Sequence, residues 1–188
     1  MNVILERALG ALRESASSAV LTAQLEDIAG RVRRALGEGK KILLCGNGGS
    51  AAEAQHIAAE FVCRFKKERK SLPAMALTTD TSILTAVAND YSYDLVFARQ
   101  VEGLGGPGDI LFILSTSGNS KSCLAAARAA KEHGLSTVGF TGAGGGALKG
   151  LVDLCFCVPS QVTSHIQEVH LVALHAVCEM VDESFPSK

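Results

Sequence analysis

Two short loops of glycine, hydroxyl and amide residues each follow an apolar β-like run. In the first, Lys40-Lys41-Ile42-Leu43-Leu44-Cys45 leads into Gly46-Asn47-Gly48-Gly49-Ser50. In the second, Asp109-Ile110-Leu111-Phe112-Ile113-Leu114 leads into Ser115-Thr116-Ser117-Gly118-Asn119-Ser120. A buried strand that stops at such residues and is followed by a helix builds an anion site. The helix N-terminus offers unpaired N–H groups and a partial positive charge, and glycines let the backbone approach the ligand. Loop 115–120 adds hydroxyls that can donate to phosphate oxygens. Neither loop carries the lysine of a nucleotide P-loop, so the pattern suits a small phosphate monoester better than ATP. Gly142-Ala143-Gly144-Gly145-Gly146 also follows a strand but lacks hydroxyls and reads as a structural turn.

Acid–base groups cluster in two places. His56 and Glu60 are four residues apart and share one face of a helix that starts at the first loop. Ala51, Ala52, Ala54, Ala58 and Ala59 around them suit a closely packed helix, where charge is costly without a use. Near the C-terminus, His165, Gln167, Glu168, His170, His175 and Glu179 fall within an apolar helical pattern. One or two of these histidines are expected on a solvated face, and Glu179, four residues from His175, is expected to hold its imidazole. Thr78-Thr79-Asp80-Thr81-Ser82 reads as a strand exit and helix cap, and Asn89-Asp90 locally as a helix end.

The elements that must position these groups are legible in outline. Residues 2 to about 39 form a helical pair, with Leu5, Leu9 and Leu12, then Leu21, Leu25, Ile28, Val32 and Leu36, at helical spacing. Over 40–188, strands at 41–45, 72–77, 109–114, 136–141 and 151–158 alternate with helices at 50–64, within 82–104 and at 120–133, and a last helix spans 164–182. Such β–α repetition with nearly continuous apolar strands predicts one α/β domain over 1–188. Its five-stranded parallel sheet is doubly wound and covered by helices on both faces. The leucine stripes of the opening helices exceed what that sheet needs as cover and predict oligomer contacts.

The 188 residues carry a net charge near −1, which gives no sign of a nucleic-acid or membrane partner. Charged residues interrupt the N-terminus as a signal peptide, and no run is long enough to span a bilayer. Six cysteines without a C-x-x-C pair predict reduced, buried thiols in a cytoplasmic protein.

With these residues in hand, the chain closely resembles the sugar-isomerase (SIS) domain family, and within it the phosphoheptose isomerases. The likeness runs over essentially the whole length and is carried by GNGGSAAEAQHIAAEFVCRF, ALTTDTSILTAVANDY, GDILFILSTSGNS and IQEVHLVALH. The resemblance implies conversion of sedoheptulose 7-phosphate to D-glycero-D-manno-heptose 7-phosphate, the opening step of activated heptose synthesis for surface polysaccharide such as lipopolysaccharide. It implies one zinc per subunit on His56, Glu60, Gln167 and His175. Substrate contacts fall on Asn47, Gly48, Gly49, Glu60, Asn89, Asp90, Ser115, Thr116, Ser117, Ser120 and Gln167. Glu60 would be the base and His175 its acid–base partner, in a homotetramer with active sites between subunits.

On a regular helix Gln167 and His175 rise ~12 Å apart, which favours a metal site shared between subunits. Two alternatives stand beside the isomerase. One is a non-enzymatic relative that binds the replication initiator and lacks the carboxylate and the final histidine. The other is an isomerase of the same fold acting on a different sugar phosphate.

Overall fold

The computed structural model describes residues 2–187. Two helices open the chain, α1 (Asn2–Ala16) and α2 (Ala19–Gly37). Ser18 starts the second by accepting from the Leu21 N–H. The alternating part then runs β1 (Ile42–Gly46), α3 (Gly49–Val62), β2 (Ala74–Ala76), α4 (Thr81–Asp90), α5 (Ala98–Leu104), β3 (Ile110–Leu114), α6 (Lys121–Glu132), β4 (Ser136–Thr141), β5 (Leu154–Cys157) and α7 (Thr163–Asp182). Asp80 caps α4 through the Ile83 N–H at 2.9 Å, and α4 ends at Asp90.

All five strands are parallel, in the order β2-β1-β3-β4-β5. β1 and β3 are buried at every residue, because helices cover both faces of the sheet. On one face, Ile42, Leu44, Phe112 and Phe140 pack against α2, α3 and α7. On the other, Leu43, Leu111 and Ile113 pack against α5 and α6. Chain direction across the sheet reverses between β1 and β3, and in such sheets ligands bind at the carboxyl ends flanking that switch point. Both glycine–hydroxyl loops lie there.

The leucine stripes divide differently from expectation. Leu21, Ile28, Val32 and Leu36 of α2 are buried within this chain, because α2 lies over β5 and α7. The surplus is confined to α1 and the start of α2, where Val3, Ile4, Leu5, Leu9 and Val20 stay exposed. The cysteines also depart from a uniformly buried set: Cys45, Cys123 and Cys178 are buried, Cys155 and Cys157 half-buried, and Cys63 exposed. The strand at 151–158 contracts to Leu154–Cys157, since Ala147–Gly150 coils into a 3-10 turn ahead of it.

Candidate active site

The first loop turns on Gly48, whose φ of 55° and ψ of −122° a side chain would strain, and α3 begins at the next residue. Asn47 joins three segments. Its Nδ2 donates to Ser120 Oγ at 2.8 Å and Ser122 Oγ at 3.0 Å, and its Oδ1 accepts from the Tyr93 hydroxyl at 2.7 Å. The side-chain amide hydrogens of this expected substrate contact are thus spent within the protein.

The second loop is held by backbone and by its own side chains. Ser115 N–H donates to Phe140 carbonyl, Asn119 N–H donates to Ser117 Oγ at 3.1 Å, and the Asn119 amide reaches the Ser117 carbonyl. Ser120 occupies the N-cap of α6 but its hydroxyl does not cap that helix; it bonds Asn47 instead. Gly118, at φ 64°, presses on the backbone of Gly145 and Gly146, where a Cβ would overlap the Gly145 carbonyl. The glycine turn after β4 therefore braces this loop. Between the loop and the start of α7 opens a cleft of about 190 Å³ lined by Thr116, Ser117, Ala143, Ser160, Gln161 and Thr163. Ser160, Gln161 and Thr163 were not singled out from sequence, having no local pattern to mark them.

His56, Glu60 and His175 converge in one chain. His56 Nε2 lies 2.8 Å from His175 Nε2 and 3.4 Å from Glu60 Oε1, and one ligand atom from each of the three falls within 4.8 Å of the others. One chain supplies all three groups, since its α3 and α7 pack side by side. Phe65 stacks on the His175 ring at 5.2 Å with planes 20° apart. Burial, then the neighbouring His56, lower the His175 pKa, with Glu60 opposing.

Gln167 lies eight residues before His175 on α7. A Cβ on Gly49 would lie 2.5 Å from its Nε2, so its carboxamide covers the first loop. Asn89 and Asp90 are exposed at the end of α4 and bond each other at 2.8 Å; no hydrogen bond among the described residues joins them to either loop. Glu179 does not hold His175. It pairs with Lys66 at 2.6 Å, because Lys66 follows α3 directly beneath it. None of the α7 histidines is fully solvated: His165 and His175 are half-buried, and His170 is sealed, its Nε2 3.1 Å from the Thr141 carbonyl.

Two buried groups escaped the sequence reading. Arg69 donates to Asp182 at 2.6 Å and to the carbonyls of Phe61 and Glu60, fastening the end of α3 to α7. It thereby fixes the helix positions on which Glu60 and His175 depend. Glu53, on the buried side of α3, is pushed up to about 7 by desolvation, against a hydrogen bond from Ser50.

The model of the SIS domain matches residues 8–142. A phosphoheptose isomerase of Roseiflexus sp. is 64% identical over 157 residues, covering 84% of this chain and 80% of that relative. The chain belongs to the phosphoheptose isomerases of the SIS domain family. Two solved family members agree throughout. A phosphoheptose isomerase from Neisseria gonorrhoeae superposes with a TM-score of 0.90 at 39% identity, covering 97% of this chain and 96% of that one. The family member from Francisella tularensis gives 0.93 at 36% identity with the same coverage.

Proposed function

We propose that this chain isomerises sedoheptulose 7-phosphate to D-glycero-D-manno-heptose 7-phosphate. The observation that carries the reading is the meeting of Glu60 with His56 and His175 on helices that begin beside the two anion loops. Aldose–ketose exchange moves a proton between C1 and C2 through an enediolate, so it needs one base and one acid–base partner near that carbon pair. Glu60, half-buried beside His56, removes the proton from carbon. His175, kept neutral by burial and by His56, passes a proton at the oxygen or the opposite carbon. The phosphate sits on loop 115–120, held by Thr116, Ser117 and Ser120 hydroxyls and the open first turn of α6, with Ser115 supporting them from its buried backbone position. Gly48, Gly49 and Gln167 line the sugar chain, with Asn47 holding the loops in register. Asn89 and Asp90, exposed at the end of α4, complete the proposed sugar contacts.

Two imidazoles and a carboxylate form a nitrogen and oxygen donor set that suits zinc, with three protein ligands and an open position. His56, Glu60 and His175 would hold one ion per subunit. When bound it would supply Lewis-acid polarisation of the substrate oxygens. Gln167, on the same helix as His175 and beside Gly49, would contact the substrate and offer its carboxamide oxygen at the remaining position. Glu60 has a second oxygen free to meet the substrate.

The same reading takes the protein to be a cytoplasmic homotetramer serving surface-polysaccharide heptose synthesis, with the exposed apolar residues of α1 as contact surface. No described helix is long and apolar enough to cross a membrane. The presence of Glu60 and His175 separates this chain from a non-enzymatic initiator-binding relative. The test is incubation with sedoheptulose 7-phosphate, with and without a chelator, following the aldose product. No aldose from the metal-loaded protein would refute the assignment.

A further inference from the structure

Outside that site, two thiols share one face of the edge strand. Cys155 and Cys157 are two residues apart on β5, so strand alternation points both the same way, and their sulfurs lie 3.6 Å apart. The buried Thr141 on β4 brings its Oγ1 to 3.3 Å from Cys157 Sγ and 3.5 Å from Cys155 Sγ. Both sulfurs open on a cleft of about 310 Å³ whose wall includes Glu14, Gln24 and Lys149.

The spacing selects among uses of a dithiol. A disulfide would draw the sulfurs to about 2.05 Å across Cα atoms about 6.6 Å apart along a strand, at the long end of what the bond spans. A tetrahedral ion with thiolates at about 2.3 Å separates them by about 3.8 Å, which this pair already provides. We propose that Cys155 and Cys157 chelate a thiophilic divalent d10 cation, with the Thr141 hydroxyl beside it and the cleft open to water for the remaining position. Binding releases the thiol protons to solvent and forms two sulfur–metal bonds. The two thiols titrate unequally: Cys155 is pushed up, first by its hydrogen bond with Cys157 and then by burial, so the cation itself must displace its proton. Cys157 is held below the usual thiol range, chiefly by its hydrogen bond with Cys155, then by Thr141 and Lys149. The first proton to leave therefore comes from Cys157.

Cadmium is the probe, because its ultraviolet charge-transfer band arises from thiolates and not from the histidines and carboxylate of the other cluster. Reduced, chelator-treated full-length protein is titrated with cadmium. Cys155→Ser and Cys157→Ser are each expected to weaken the binding that produces the band by more than the ~10–100-fold typical of losing an outer-shell partner. Cys63→Ser is expected to leave it unchanged. In the unmodified protein, cadmium is expected to protect Cys155 and Cys157 together from iodoacetamide, read by peptide mass. A band that persists in the Cys155/Cys157 double serine variant, or equal alkylation of both thiols with and without cadmium, would overturn the proposal. The alkylation arm decides the matter even if a serine variant fails to fold.

Discussion

His56 and His175, 119 residues apart in sequence, face each other Nε2 to Nε2 at 2.8 Å. At that distance one ring's N–H donates to the other's lone pair, and both lone pairs become available when a cation takes the proton's place. Replacing His56 with Ala should therefore lower the zinc content of purified protein and weaken zinc affinity by at least ~10–100-fold. Equilibrium dialysis with metal analysis checks this, and unchanged zinc binding would remove the trio as the metal site.

Glu60→Gln keeps shape and loses the proton acceptor. Turnover should fall by about 10²–10⁴-fold with substrate binding largely kept. Calorimetric titration beside rate measurement separates the two, and a rate within tenfold of the parent would exclude Glu60 as base. His175→Ala should be comparably damaging, with metal loss as a second effect.

Ser117→Asp sets a carboxylate against the bound phosphate. Like-charge contact costs several kcal/mol, so KM should rise by about 10² or more. Sedoheptulose without phosphate should compete poorly; if it bound equally well, the loop assignment would fail.

Inactive Glu60→Gln and His175→Ala chains, unfolded and refolded together, should recover no activity, because one chain brings both residues together. Sedimentation establishes the assembly, and regained activity would show that the residues act across an interface after all.

Two carboxylates give opposite pH signs. Glu53 has its folded pKa raised to about 7 by burial, so its favourable contribution is complete below the unfolded value near 4 and is lost as pH rises through about 7. Glu53→Gln should raise stability at pH 8 by about 1–3 kcal/mol and change it little at pH 5. For Asp182, burial raises the pKa but the hydrogen bonds from Arg69, Lys67 and Lys66 together hold it below the usual range. Its contribution is present above the unfolded value and is lost as pH falls through the folded one. Arg69→Leu strands that carboxylate and should cost about 3–5 kcal/mol at pH 7, with a shallower loss on acidification. Thermal melts across pH 3–8, about the range in which these carboxylates titrate, read both effects.

The order of strands and helices was legible because apolar runs and glycine punctuation are local signals, and the His56/Glu60 pair because a four-residue spacing is itself local. Which α7 histidine would meet them was not. That choice depends on how α7 leans on α3, set by Arg69 across 113 residues to Asp182. Glu179 was misplaced for the same reason: its helical neighbour His175 had a partner on another element, and so did Glu179 itself. The tie from Asn47 to Tyr93 and Ser120 likewise joins segments that no sequence window contains.

That tie bears on the cost of binding. With Asn47 anchoring the β1 loop, the Tyr93 turn and the start of α6 to one another, a ligand arriving at this rim does not have to order three loops separately. Loop ordering on association costs roughly 0.5–1.5 kcal/mol per immobilised side chain. Here it has been met during folding, so more of each phosphate and hydroxyl contact remains as affinity. Cutting the tie at Asn47 would weaken the grip on a sugar phosphate even if no atom touching the ligand had changed, and the loss would show as an unfavourable binding entropy.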